Sequence, residues 1–208
     1  GQGKRLVLGE DVVIGTRTAQ PDVAVTDSPL VFVGYGVNAP EQQWNDYAGL
    51  DVKGKTVLIL INDPGFHAGD VALFQGRRMT YYGRWTYKFE EAARQGAAAA
   101  IVIHDTAGAG YGWDVVKSSW SGAQFDLRAA GEPEPRLPAQ GWISNARARA
   151  LFSVAGLDFD AQPLGRFDPA QVQQIRHQPV HPPRLGGHDT QKTVARRRVV
   201  PGSPLQGF

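Results

Sequence analysis

The sequence predicts a mixed α/β domain, and three observations predict it. Two aliphatic runs of strand length, 56–61 (TVLILI) and 97–104 (AAAAIVIH), read as strands buried on both faces of a parallel sheet. Between them Trp85, Phe89, Ala92, Ala93 and Gly96 recur at i, i+4, i+7, i+8 and i+11, which puts them on one face of a helix over residues 84–95 that stops at Gly96. Strand, helix and strand in that order make a right-handed parallel crossover, with the small alanines letting the helix lie close to the sheet.

The other elements follow from shorter signals. Residues 5–14 (RLVLGEDVVI) read as two short strands about Gly9, and 23–34 (VAVTDSPLVFVG) as a pair broken at the turn Asp27-Ser28-Pro29. The run VFVGYGV is a strand that ends on Gly34 and Gly36, where the backbone bends. A phosphate-cradling loop would need a third glycine and a following helix, so the bend is the better reading. Residues 40–55 form a polar connection anchored by Trp44 and Tyr47 and closed by the turn Lys53-Gly54-Lys55. From Asn62 to Gly83 nothing is periodic, and a connection of that length is longer than the roughly 12–15 residues that compact domains usually carry without a purpose.

Beyond the second aliphatic run, 108–141 reads as irregular chain draped over the sheet edge, carrying Trp113 and Trp120. A short strand at 140–143 precedes a helix over 145–155, with Ser144 as its cap, Ala148, Leu151, Phe152 and Ala155 inside, and Gly156 as its stop. Residues 157–165 add a half-turn. Three segments result: leading strands or a linker over 1–14, one domain over 15–166, and a polar, proline-rich linker or tail over 167–208.

Composition narrows the function. With 208 residues, 42% hydrophobic, the chain can bury one substantial core. The net charge of +2 is concentrated near Arg196, Arg197 and Arg198, without the basic face and interleaved aromatics that nucleic acid requires. No cysteine is present, so there is neither a disulfide framework nor a thiolate metal site. No run approaches the ~20 apolar residues of a membrane span. A start at Gly1 without methionine or signal peptide reads as an internal piece of a longer protein.

Several residues could carry chemistry. Asp63, His67 and Asp70 lie within eight residues and could hold a divalent cation, against the plainer reading of a turn at Asp63-Pro64-Gly65 beside a solvated imidazole. His104 and Asp105 end a buried strand, where they could orient a loop or act as a general base; without a nucleophile motif the structural use is favoured. Ser118, Ser119 and Ser121 have no base that the sequence supplies. Tyr81, Tyr82, Arg84, Trp85 and Tyr87 have the composition of an interface hot spot. Trp85 belongs to the inner helix face, which leaves Tyr81, Tyr82, Arg84 and Tyr87, with His67, as the contact candidates.

Two blocks carry a family resemblance. PLVFVGYGVNAPEQQWNDYAGLDVKGKTVLILINDPGF (29–66) resembles the start of the protease-associated domain inserted in bacterial zinc aminopeptidases, of the leucyl aminopeptidase or aminopeptidase Y type, and KFEEAARQGAAAAIVIHD (88–105) resembles the helix-strand signature of that domain in general. MTYYGRWTYK and GYGWDVV look like the same branch. The resemblance implies a swivelling β/β/α architecture, a small curved sheet or open barrel with flanking helices. It also implies a non-catalytic role in shaping substrate access or specificity, with a catalytic peptidase domain in cis and peptide or protein substrate as partners. No cofactor is expected in this chain, since the family's zinc lies in the catalytic domain; none of His67, His104, His177, His181 and His188 stands in the family's His-x-Asp metal arrangement. A secreted or periplasmic location is implied as well. The alternative is a free-standing module that binds peptides or proteins in trans.

Overall fold

A computed structural model describes residues 5–18, 20–125 and 134–160. Its strands are β1 (Val12–Gly15), β2 (Leu30–Phe32), β3 (Asn38–Ala39), β4 (Trp44–Asn45), β5 (Thr56–Leu60), β6 (Ala99–Ile103) and β7 (Ala139–Ile143). Its helices are α1 (Trp85–Arg94), α2 (Thr106–Ala109), α3 (Trp113–Ser119) and α4 (Asn145–Val154). Five strands form one open sheet in the order β1-β7-β6-β5-β2, and β3 and β4 form a separate hairpin. β2, β5, β6 and β7 run parallel, in a register that sets Thr56 beside Ala99 and Ala99 beside Ala139; β1 closes one side antiparallel to β7. Mixed α/β with flanking helices is therefore the observed class.

The two aliphatic runs do what their composition dictates. Side chains alternate across a strand, so Val57 and Ile59 of β5 join Ala100 and Val102 of β6 in one core, while Leu58 and Leu60 join Ile101 and Ile103 in the other. The first core is covered by Phe89 and Ala92 of α1, with Val116 of α3, and the second by Ala148 and Phe152 of α4. Gly96 ends α1 with a φ of +77° and Gly156 follows α4 with +75°, as read from the sequence.

Four readings are corrected. Of the pair expected in 5–14, only Val12–Gly15 is a ladder strand; the carbonyl of Val7 accepts from the amides of Glu10, Asp11 and Val12, so the first half turns back on itself. Of the pair in 23–34, only Leu30–Phe32 pairs. There Ser28 Oγ bonds the Gly54 carbonyl and the Thr56 hydroxyl, guiding the chain to the start of β5, while 23–26 joins no strand ladder. The stretch 108–141 contains α3, whose Val116 packs into the first core while Trp113 bonds the Gly9 carbonyl and Trp120 lies against Gly15 of the edge strand β1, so its described part is not all irregular chain. Ser144 holds the N-cap position of α4 without a side-chain cap bond. The half-turn expected at 157–165 reaches past the described residues after Asp160, and the tail at 167–208 lies outside them.

Candidate functional site

The long connection Asn62–Gly83 is aperiodic but tightly fixed. Its ends meet, with the Asn62 amide donating to the Gly83 carbonyl at 3.1 Å. Asn62, at a φ of +73°, donates from Nδ2 to the Gly108 carbonyl at 2.6 Å and so ties this loop to α2. Asp63, fully buried, accepts from the amide and hydroxyl of Thr80 at 2.6 and 3.0 Å, joining the first residues of the loop to the last. Midway the backbone touches itself: a Cβ on Gly65 would stand 2.1 Å from the Leu73 carbonyl oxygen, so only glycine fits there.

Beneath the loop lies a buried charge cluster. Lys88 of α1 is wholly buried; its Nζ donates to the Asn62 carbonyl at 2.9 Å and lies 6.0 Å from the ring centroids of both Tyr35 and Tyr87. Burial pulls the ammonium down to about 7, opposed by the charges of Asp63 and Asp46. Burial likewise pushes Asp46 up to about 7, although it accepts from the amide of Val37 and the indole of Trp44, each at 2.9 Å. Asp63 is raised by burial too, against its bonds from Thr80 and the charge of Lys88.

A chain of edge-to-face rings braces the same region. Trp44 meets Phe74 at 5.8 Å, Phe74 meets Tyr82 at 5.7 Å, Tyr82 meets Tyr87 at 4.9 Å, and Tyr87 meets Tyr81 at 5.5 Å. Phe74 is held in this chain at a φ of +48°, in the left-handed region that a bulky residue adopts only under constraint.

The structure sorts the contact candidates. Tyr81 is exposed and its hydroxyl donates to Glu90 at 2.5 Å; half-buried Tyr82 donates to Glu41 at 2.6 Å, which pushes its own ionisation up to about 12. Arg84 is exposed at the start of α1. Tyr87 is a correction: it is buried in the second core, its hydroxyl bonded to the amide and carbonyl of Asn38 at 3.1 Å, so it supports the surface from below.

His67 is not merely solvated, since its Nε2 stands 3.1 Å from Asp105 Oδ2. The carboxylates and imidazole of the suggested cation set are each engaged separately: Asp63 on Thr80, His67 on Asp105, Asp70 on the Ala72 amide. Among the described residues no three His, Asp or Glu side chains converge as a metal cage. His104 pairs through Nε2 with the Tyr111 carbonyl at 2.9 Å and Asp105 caps α2 through the amides of Ala107 and Gly108, so this pair orients the following loop. Ser118 and Ser119 donate to the Val115 carbonyl, and Ser121 to that of Ser118. The strand order advances in one direction from β2 through β5 and β6 to β7, without the reversal that opens a ligand crevice in parallel sheets.

Sequence reading missed Lys88. A signal was present, because Lys88 stands at i+3 from Trp85 and i−4 from Ala92, in the middle of the apolar stripe of α1.

A family model described as "PA domain" matches residues 25–141, more than half of the chain. Among solved structures, the "Aminopeptidase from Aneurinibacillus sp. strain AM-1" is similar at 20% identity and a TM-score of 0.32, over 69% of this chain and 27% of that one. The chain thus spans just over a quarter of that protein's length. No curated protein matches.

Proposed function

The chain belongs to the PA domain family, and on that premise we propose that it is a non-catalytic module working in cis with the active site of a zinc aminopeptidase, where it controls which substrates reach the metals. The block at 29–66, with MTYYGRWTYK and GYGWDVV, supports the aminopeptidase branch, of the leucyl aminopeptidase or aminopeptidase Y type. The zinc belongs to the catalytic domain, and a secreted or periplasmic setting goes with that branch.

The match to the PA domain family over residues 25–141 is the observation that carries the reading, and within the fold α4 holds the segments packed against it. Arg147 of α4 donates to the Arg5 carbonyl and to Asp11, both at 2.9 Å, and Arg149 pairs with Asp160. Away from that helix, the bond from Asn62 to Gly108 joins the 62–83 loop to the α2 region as one rigid rim. Such a rim acts sterically: it admits chain ends and short peptides and turns away bulkier chains.

The test is direct. The purified chain, supplied with zinc and aminoacyl chromogenic substrates, is expected to show no turnover. Turnover that persists through purification and disappears in His67→Ala or His104→Ala would overturn the reading.

A further inference from the structure

We propose that the outer part of the 62–83 loop, with the adjoining start of α1, is a docking surface for acidic peptide segments that carry apolar side chains. This rests on the contact role assigned above and names the chemistry of what is contacted.

Three large apolar side chains are exposed within eleven residues here: Val71 at 81%, Met79 at 40% and Tyr81 at 56%. Arg77, Arg78 and Arg84 are exposed among them. The two arms of the tip lie side by side, since a Cβ on Gly76 would stand 3.3 Å from the Val71 backbone and one on Gly69 would stand 3.5 Å from Arg77 Nε. Apolar exposure of this degree in a segment fixed by Asp63, Asn62 and Phe74 is not the exposure of a loose loop. A rigid loop loses little freedom on binding, which is what a recognition surface needs.

The charge balance selects the partner. Rim carboxylates keep their charge but bond neutral donors, Asp70 the Ala72 amide, Glu90 Tyr81 and Glu41 Tyr82, so the guanidinium forks and not the net charge are what a partner meets. Among the described residues no carboxylate pairs with Arg77, Arg78 or Arg84. A guanidinium fork takes a carboxylate in two parallel bonds, while Val71, Met79 and Tyr81 offer the aliphatic and aromatic contact that peptide interfaces favour. An Arg77-Arg78 pair set apart from Arg84 by Met79 and Tyr81 suits a peptide better than a phosphate backbone, which wants a continuous basic track.

Fluorescence anisotropy of the full chain with labelled twelve-residue peptides tests this. One peptide is built from Glu, Asp, Leu and Phe, a second has Gln and Asn for its acids, and a third has Lys. The acidic peptide is expected to bind at least about tenfold tighter than the neutral one and to weaken as salt is raised. Arg77→Glu with Arg78→Glu should abolish that binding and create affinity for the Lys peptide; Arg77→Gln with Arg78→Gln, a milder pair, should reduce it. Circular dichroism confirms that each variant is folded. Equal affinity for acidic and neutral peptides, unchanged binding in the arginine variants, or no binding at all would overturn the inference. If all three peptides bind equally and Tyr81→Ala removes them, the contact role survives and the acidic partner falls. Tighter binding to a single-stranded DNA oligomer or to vesicles containing phosphatidylserine would show the partner class to be wrong.

Discussion

Lys88 Nζ and the carbonyl of Asn62 share a hydrogen bond of 2.9 Å, and this places the buried cation of α1 directly beneath the first residue of the long loop. Asn62 in turn reaches Gly108, and Asp63 reaches Thr80. One helix side chain therefore fixes the loop's root, and through it both segments of the rim.

Lys88→Ala leaves Asp46 and Asp63 buried without their cation and opens a cavity. Breaking a buried charge arrangement from one side costs about 3–5 kcal/mol. Lys88→Met keeps the volume and lets Asp46 take up a proton, so a smaller loss of about 1–3 kcal/mol is expected. Both variants remove the cation, so urea unfolding of the pair isolates the cavity's share, and a Lys88→Met variant as stable as the parent would refute the charge argument.

Thr80→Val removes one of the two donors to Asp63 while preserving shape. A hydrogen bond to a charged group contributes about 1.5–3 kcal/mol, so a loss in that range is expected, with faster amide exchange confined to 62–83. Exchange that rises across the whole sheet instead would show that the loop is not a separate unit.

What the sequence disclosed and what it hid divide along physical lines. The runs at 56–61 and 97–104 and the stripe from Trp85 to Gly96 were legible because periodicity accumulates over five or more residues. The hairpin of Asn38–Ala39 with Trp44–Asn45 was not, since two-residue strands have no period, and α3 buries only Val116 fully. At the site, Tyr81, Tyr82 and Arg84 could be named from composition. Tyr87 could not be separated from them, because its burial depends on the second core and on Asn38, which is far away in sequence.

The pairing of His67 with Asp105 joins the loop to the end of β6 at a place where both side chains keep nearly a third of their exposure. Solvent screening limits such a pair to roughly 0–1 kcal/mol. His67→Ala should thus lower stability by less than about 1 kcal/mol in thermal unfolding; a loss above about 2 kcal/mol would mean the loop depends on this pair more than its exposure allows.

The charge cluster also predicts an unusual dependence of stability on pH. Asp46 titrates at about 7 in the folded chain against 3.8 when unfolded, so between these values the folded state holds a proton that the unfolded state has released. Its contribution is complete below 3.8 and is lost as pH rises towards 7. Lys88 titrates at about 7 folded against 10.5 unfolded, so between those values the unfolded state holds the extra proton and stability rises with pH. The cluster therefore contributes a minimum near neutrality, with each limb no steeper than about 1.4 kcal/mol per pH unit. Difference curves isolate it from the other carboxylates: Asp46→Asn should flatten the limb between pH 4 and 7, and Lys88→Met the limb between pH 7 and 9. Denaturant midpoints measured across that range decide the matter, and parallel curves for parent and variants would mean that these two groups do not titrate inside the fold.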